Sequence, residues 1–268
     1  MKPTYFFDTH PVFRVEEFLA AHREDGSRSA ATSQTVLKQH VRAGRLLHVR
    51  RGVYAVIPRG QKPEDVVLDP YVLAASLAPD AVVAYHGALQ LHGRAHSLSR
   101  QVQFLTTTGT KPFGFRGTEF VPVKVPTSLR GLSDLGGGIV DKLRGSSVVR
   151  VTTLERTFVD LLDSPRYSGG WEEIWRSLES VEFFDVDAVI DYAFKLGSSV
   201  TVAKVGFYLE QHRQELMVEE KHLDLLETRV PSRPAYLERS KRESGKLFSR
   251  WNLVVPERIV LRAWEETA

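Results

Sequence analysis

The sequence contains no cysteine. This excludes disulfides, thiolate metal sites and a cysteine nucleophile, and it fits a reducing compartment. No apolar run approaches the roughly 20 residues that span a bilayer, so no membrane partner is expected. The N-terminus, MKPTYFFDTH, lacks a long apolar core and carries Asp8, unlike a signal peptide; a cytoplasmic protein is expected. There is no internal repeat, no low-complexity segment, no Gly-x-Ser-x-Gly elbow and no P-loop. Acid is also missing locally. Between Gly26 and Pro63 there is no Asp or Glu, while Arg28, Lys38, Arg42, Arg45, Arg50, Arg51, Arg59 and Lys62 all fall there. The formal net charge of all 268 residues is only +3, so the rest of the chain is net negative. A basic block of this kind is an electrostatic footprint for phosphate.

What is present in that stretch has a shape. Thr32 or Ser33 can cap a helix by accepting a hydrogen bond from an orphan backbone N–H. Leu37 and Val41 give the helix an apolar face, and Gly44 can end it in a left-handed conformation. Leu46–Arg50 and Val53–Ile57 read as two strands joined by a turn at Arg51-Gly52. Helix then basic hairpin is the outline of a winged helix-turn-helix. Ser33, Gln34, Thr35 and Lys38 are the candidates for base edges or nearby phosphates, because the first turns of a recognition helix enter the groove deepest. Arg42, Arg45, Arg50 and Arg51 are the candidates for phosphate or minor-groove contacts. The competing reading is a solvated hairpin beside an ordinary amphipathic helix.

Three stretches carry a family resemblance. VLKQHVRAGRLLHVRRGVYA (36–55) resembles the wing segment of the AbiEi-type antitoxins of AbiE abortive-infection systems, which are type IV toxin–antitoxin pairs. VVAYHGALQLHG (82–93) is similar to that family's Ala-Leu-x-Leu-His-Gly run, and VTTLERTFVDL (151–161) to its Thr-x-x-Arg-Thr-x-x-Asp-Leu segment. The matches span about the first 165 residues; beyond Trp171 the likeness is a helical region of similar length. The resemblance implies an antitoxin that binds an inverted repeat in double-stranded operator DNA and represses its own operon. It would counter a nucleotidyltransferase-like toxin without necessarily binding it. It implies no enzyme activity and no cofactor.

The expected fold class is α+β, mostly helical. Residues 1–62 would form the winged helix-turn-helix domain and 63–268 an antitoxin domain, with an α+β part (63–152) and a mainly helical part (153–268). Pro11–His22 reads as a helix, with little room for a full helix before it. Pro58–Asp69 reads as a linker, with Asp69 capping a helix that starts at Pro70. Strands are expected at Gln101–Thr107, Thr118–Val125 and Ser147–Val151, with KPFGFRG as a turn. Thr153 can cap a helix striped by Leu154, Phe158, Leu161 and Leu162. Further helices are expected at Trp171–Val181, Asp187–Leu196, Val200–His212 and Glu219–Glu227. Ten Asp/Glu and three Lys/Arg lie in 155–191, and nine Lys/Arg against three Asp/Glu in 229–262. These could pack on each other, or the basic tail could be a second nucleic-acid contact.

Candidate chemistry is thin. His86, His92 and His96 lie close together, but no carboxylate falls between Ala81 and Thr118 to complete a metal site, so packed or surface histidines are the default. Gly145-Ser146 and Asp185-x-Asp187 invite comparison with nucleotidyltransferases, yet they stand about forty residues apart. Glu155, Asp160 and Asp163 share a helix without a nearby lysine, and Glu155-Arg156 reads as a solvated or salt-bridged face. Two other functions remain open at this stage: an ordinary transcription factor with a ligand- or partner-sensing C-terminal domain, and a nucleic-acid enzyme with an N-terminal targeting module.

Overall fold

The aromatic N-terminus organises the first six elements. α1 (Pro3–Thr9), β1 (Val12–Arg14), α2 (Val15–Glu24), α3 (Ala30–Arg42), β2 (Leu46–Arg50) and β3 (Val53–Val56) follow in that order. Phe6, Phe7, Phe13, Phe18, Leu37 and Leu46 meet in one buried cluster. Phe6 and Phe13 pack edge-to-face with centroids 5.1 Å apart, and Phe7 stacks on Phe18 at 5.7 Å. Such pairs add about 0.5–1.5 kcal/mol each beyond area burial. The strands form an antiparallel sheet in the order β1-β3-β2, with Ala55 between Val12 and Leu47. This computed structural model describes residues 3–24, 30–238 and 245–264, with 3, 4, 23, 24 and 30–33 described by backbone alone.

Three expectations change here. The segment Pro11–His22 is not one helix, because Val12 and Phe13 pair with β3 before the helix begins. Glu17 accepts the Arg14 backbone N–H at 2.7 Å and so starts α2 at Val15. A short helix, α1, does fit before Pro11. Helix α3 begins at Ala30, so Thr32 and Ser33 lie inside it rather than capping it; residues 25–29, Arg28 among them, lie outside the described residues. The hairpin is as expected: Gly44 has φ +66 after α3, and Gly52 has φ +80 at the turn.

A six-stranded sheet follows, built from β4 (Val82–Val83), β5 (Gln101–Thr106), β6 (Phe113–Phe115), β7 (Thr118–Lys124), β8 (Ile139–Arg144) and β9 (Ser147–Thr152) in the order β6-β7-β5-β4-β9-β8. β5 pairs parallel to β7, and β4 parallel to β9. The KPFGFRG segment is only in part a turn: Phe113–Phe115 is a strand, and Arg116-Gly117, both at positive φ, make the two-residue loop. α4 (Pro70–Ser76) starts as expected, with Asp69 accepting from the N–H groups of Tyr71 and Val72.

The remaining elements are α5 (Tyr85–His92), α6 (Leu154–Asp163), α7 (Trp171–Glu179), α8 (Val186–Leu196), α9 (Ser199–Gln211), α10 (Glu220–Glu227), β10 (Ala235–Tyr236), β11 (Gly245–Phe248), β12 (Leu253–Pro256) and α11 (Glu257–Val260). Thr153 caps α6, and Gly197 at φ +76 ends α8 just before Ser198 caps α9. α9 is buried from Thr201 to Leu209, the signature of a central helix. The C-terminal region is not wholly helical, since β10, β12 and β11 form a three-stranded sheet. No described helix is long and apolar enough to cross a membrane.

The chain forms two compact units, each assembled from separate segments. The first takes Met1–Val83, Arg100–Lys124 and Asp141–Val151; the second takes Ala84–Ser99, Val125–Val140 and Thr152–Ala268. Residues 1–62 all belong to the first unit, which continues beyond them.

Gly206, in the middle of α9, faces the ring of the fully buried Trp251, whose indole N–H donates to Glu210 at 2.7 Å. Alanine in a helix interior is normally worth about 1 kcal/mol over glycine. Here a Cβ would overlap the indole, so Gly206→Ala is expected to destabilise by about 1–3 kcal/mol. Urea unfolding of the two proteins measures the sign; a stabilised variant would contradict the packing.

Candidate nucleic-acid interface

α3 is held to the aromatic cluster by its inner side. Leu37 is 1% exposed, Val36 and Val41 pack beside it, and His40 meets Phe7 edge-on at 4.9 Å. Burial, and then the Arg45 guanidinium, hold the His40 imidazole below its usual pKa. The outer side is thereby fixed: Gln34, Thr35, Lys38 and Arg42 are all exposed. They recur at i, i+1, i+4 and i+8, which is one face of a helix. The side chain of Ser33 lies outside the described residues. Arg45, just past Gly44, and Arg51, at the hairpin tip, are exposed too.

Arg50 departs from the group. It is half-buried, and its guanidinium lies over the Phe113 ring at 5.3 Å from the centroid. Phe113 is more than sixty residues away in sequence, so nothing local to the hairpin signals this contact. The register slips between His48 and Arg50, a bulge that re-aims the side chain. Of the two hairpin-tip arginines, Arg51 alone points freely to solvent.

The charge of the units follows the same division. Segments of the first unit hold 18 Lys/Arg against 11 Asp/Glu, a net +7; those of the second hold 18 against 22, a net −4. The basic C-terminal stretch is largely engaged within the second unit. Arg250 pairs with Glu220, Asp224 and Glu227 at 2.7–3.0 Å, Arg262 with Glu179 at 3.0 Å, and Arg258 with Glu238. Arg229 covers the Phe194 ring. Arg239, Lys241 and Arg242 lie outside the described residues.

The other two stretches of the resemblance are buried. Arg156 is 1% exposed, which corrects the solvated reading of Glu155-Arg156. Its Nη1 donates to the carbonyls of Leu135 (3.1 Å) and Gly137 (2.5 Å), its Nε lies 3.5 Å from Asp160, and its plane covers Tyr192 at 4.9 Å. Asp160 accepts from the Tyr192 hydroxyl at 2.8 Å. His86 Nε2 is 3.0 Å from Glu173, which also accepts from Ser177 Oγ and the Ser97 N–H. Burial pushes the Glu173 carboxyl up, but these hydrogen bonds outweigh it and hold it below the usual range. His92 Nε2 is 2.7 Å from the Thr152 carbonyl oxygen, and His96 offers its backbone N–H to Ser177. The three histidines are thus tied to separate partners. Among the described residues no cluster suited to a metal ion occurs. Glu173 was out of reach of sequence reading because it comes from a helix some ninety residues on.

No protein-family model and no curated protein matches this chain. Among solved structures it is similar to one described as the crystal structure of RV2827C protein from Mycobacterium tuberculosis, with a TM-score of 0.60 and 15% identity. The alignment covers 95% of this chain and 89% of that one. At this identity the likeness is one of fold, and it extends over both units.

Two outcomes are expected from this geometry. Arg50→Ala should lower stability by about 0.5–1 kcal/mol through loss of the ring contact, whereas Arg51→Ala should leave melting unchanged. Equal melting of the two variants would show the Phe113 contact to be without weight. The second concerns Asp160, whose carboxyl is pushed up to about 6 by burial, against the opposing pull of Arg156 and the Tyr192 hydrogen bond. In the unfolded chain it titrates near about 3.9. Folding therefore takes up a proton between these values, and this group's contribution to stability falls as pH rises from about 4 to 6 and stays lower above. Unfolding free energies at pH 4.5, 5.5 and 7 should show that slope in the native protein minus Asp160→Asn; a flat difference would exclude it.

Proposed function

We propose that this protein is a DNA-binding repressor of the antitoxin type, which binds an inverted repeat in its own operator through a winged helix-turn-helix formed by residues 1–62. The order α1-β1-α2-α3-β2-β3, with α3 exposed and a basic hairpin behind it, supports that reading of the fold. One observation carries the function: the outer face of α3 and the hairpin tip form a solvent-facing surface with Lys38, Arg42, Arg45 and Arg51 and no carboxylate within the stretch from Gly26 to Pro63. α3 enters the major groove, with Gln34, Thr35 and Lys38 toward base edges, while Arg45 and Arg51 bind backbone phosphates or the minor groove. Arg50 is left out of that set, because its guanidinium is occupied by Phe113.

The antitoxin half of the reading rests on the resemblance to the AbiEi-type family. It assigns the rest of the chain to countering a nucleotidyltransferase-like toxin in the cytoplasm, with no catalysis and no cofactor of its own. A ligand-sensing transcription factor is the second reading, favoured by a cavity of about 740 Å³ in the second unit, lined by Trp171, Val200 and Leu237 among others. Co-expression with the adjacent gene separates the two: rescue from a toxic neighbour supports the antitoxin, and a harmless neighbour removes it.

The interface makes separable expectations. Gln34→Ala should cost about 1–3 kcal/mol on the operator and little on random duplex, since glutamine can pair bidentately with adenine. Lys38→Ala should weaken both duplexes alike if it binds phosphate. The Arg45→Ala/Arg51→Ala double variant should flatten the salt dependence by about one unit of slope per lost phosphate contact. Titration at two salt concentrations reads all three; unchanged binding throughout would take α3 and the hairpin out of DNA recognition.

A further inference from the structure

The first unit has a second stretch without acid. From Arg100 to Thr118 there is no Asp or Glu, while Arg100, Lys111 and Arg116 fall there. Part of it is the loop between β5 and β6, which the DNA-binding reading does not use. Arg50 lies over Phe113, the first residue of β6, and so brings that loop beside the hairpin tip. Lys111 stands two residues before Phe113, at most about 7 Å of chain. β7 adds Lys124 at the same end of the sheet, since Lys124 is opposite Thr106, where the loop begins. Lys111 and Lys124 are exposed, and among the described residues neither enters an ion pair.

The loop is fastened from below. Asp80 accepts from Thr106 Oγ1 and from the Thr107 N–H, both at 2.6 Å, and from the Thr107 hydroxyl. Thr106 has thereby given up its hydroxyl proton. Thr108 Oγ1, at 2.9 Å, must then donate to Thr106, and Thr110 Oγ1, at 2.8 Å, to Thr108. This chain of hydroxyls fixes the backbone up to Lys111, which lowers the ordering cost of docking. It leaves those hydroxyls no proton for a phosphate, so the lysines must make the contact.

Asp80 keeps its negative charge, and Glu16 stands next to Val15, whose N–H donates to Gly52 at the hairpin turn. Four cations, Arg45, Arg51, Lys111 and Lys124, outnumber these two carboxylates. Glu119 lies at the far end of β7, beside Gln101. Glu64 and Asp65 sit at that far end too, on the segment whose Pro63 and Val66 carbonyls accept from Arg116.

We infer that the loop between β5 and β6 is a second contact to the DNA duplex, with Lys111 and Lys124 on backbone phosphates next to those met by Arg51. The inference rests on the DNA-binding reading of α3 and the hairpin. It extends the backbone contact without adding base readout.

Titration of the full chain with a random-sequence duplex of about 30 base pairs, at several salt concentrations, reads phosphate contacts without sequence preference. Lys111→Gln/Lys124→Gln should lower the slope of log affinity against log salt by about two units, one per contact, with melting unchanged. Lys111→Arg/Lys124→Arg retains the charge and should retain the native slope. Lys195→Gln/Lys246→Gln removes the same charge from the second unit and should also leave the slope as it is. A native slope in Lys111→Gln/Lys124→Gln, or an equal flattening in either of the other two variants, would overturn the inference. Arg45→Ala/Arg51→Ala separates it from the reading beneath. Flattening by the arginine pair but not the lysine pair removes the loop alone. Flattening by the lysine pair only removes the hairpin alone. Native protein without salt-dependent binding removes both.

Discussion

The second unit depends on a guanidinium that has been taken out of water. Arg156 sits on α6, the helix that contributes Phe158, Leu161 and Leu162 to the core, and it cannot turn outward without lifting that helix. Its donors therefore dictate what surrounds it. The segment from Asp134 to Gly138 runs at positive φ throughout, Asp134 and Leu135 included, and it is this unusual backbone that presents two carbonyls to Nη1. Gly138 is required there, since a Cβ would press on the Arg156 side chain at 3.0 Å. Asp160 and Tyr192 flank the guanidinium and bind α8 to α6. Removing one partner from such a buried pair typically costs about 3–5 kcal/mol, because the other charge is left without compensation.

The three stretches of the family resemblance thus serve two ends. The first is solvent-facing and cationic. The other two are interior fastenings: Arg156 with Asp160, Thr152 with Thr157 at 2.7 Å, His86 with Glu173, and His92 with the Thr152 carbonyl. His86, Thr152, Arg156, Thr157 and Asp160 each have a buried partner, which is a physical reason for their presence that needs no chemistry.

Much of the fold was legible because it is written locally. Asp69 and Thr153 mark helix starts, and Gly44 marks a stop, through hydrogen bonds or dihedrals that involve only neighbours. What escaped is non-local. β1 is three residues long and leads directly into α2, so its identity is conferred by Ala55 and Tyr54 across the sheet. β10, β11 and β12 were hidden for the same reason, as was the stacking of Arg50 on Phe113. The helix face of the candidate interface was readable from periodicity; the division of labour between Arg50 and Arg51 was not. The acidic stretch 155–191 meets the basic tail through Glu179 and Arg262, whereas Arg250 is taken up by Glu220, Asp224 and Glu227 of α10, a division that charge counting alone left open.

The interleaving of the two units along the chain bears on how the protein is made. A ribosome delivers residues in order, at about 5–20 per second. All six elements around the aromatic cluster are complete by Val56, so that part can close while the rest is still being synthesised. The second unit cannot. Its first segment, Ala84–Ser99, emerges early, but His86 finds Glu173 only later, and Gly206 waits for Trp251. For roughly ten to forty seconds the nascent chain holds the closed N-terminal elements and an unfinished remainder. The order of translation thus makes the basic surface available before the unit that carries the buried arginine has formed.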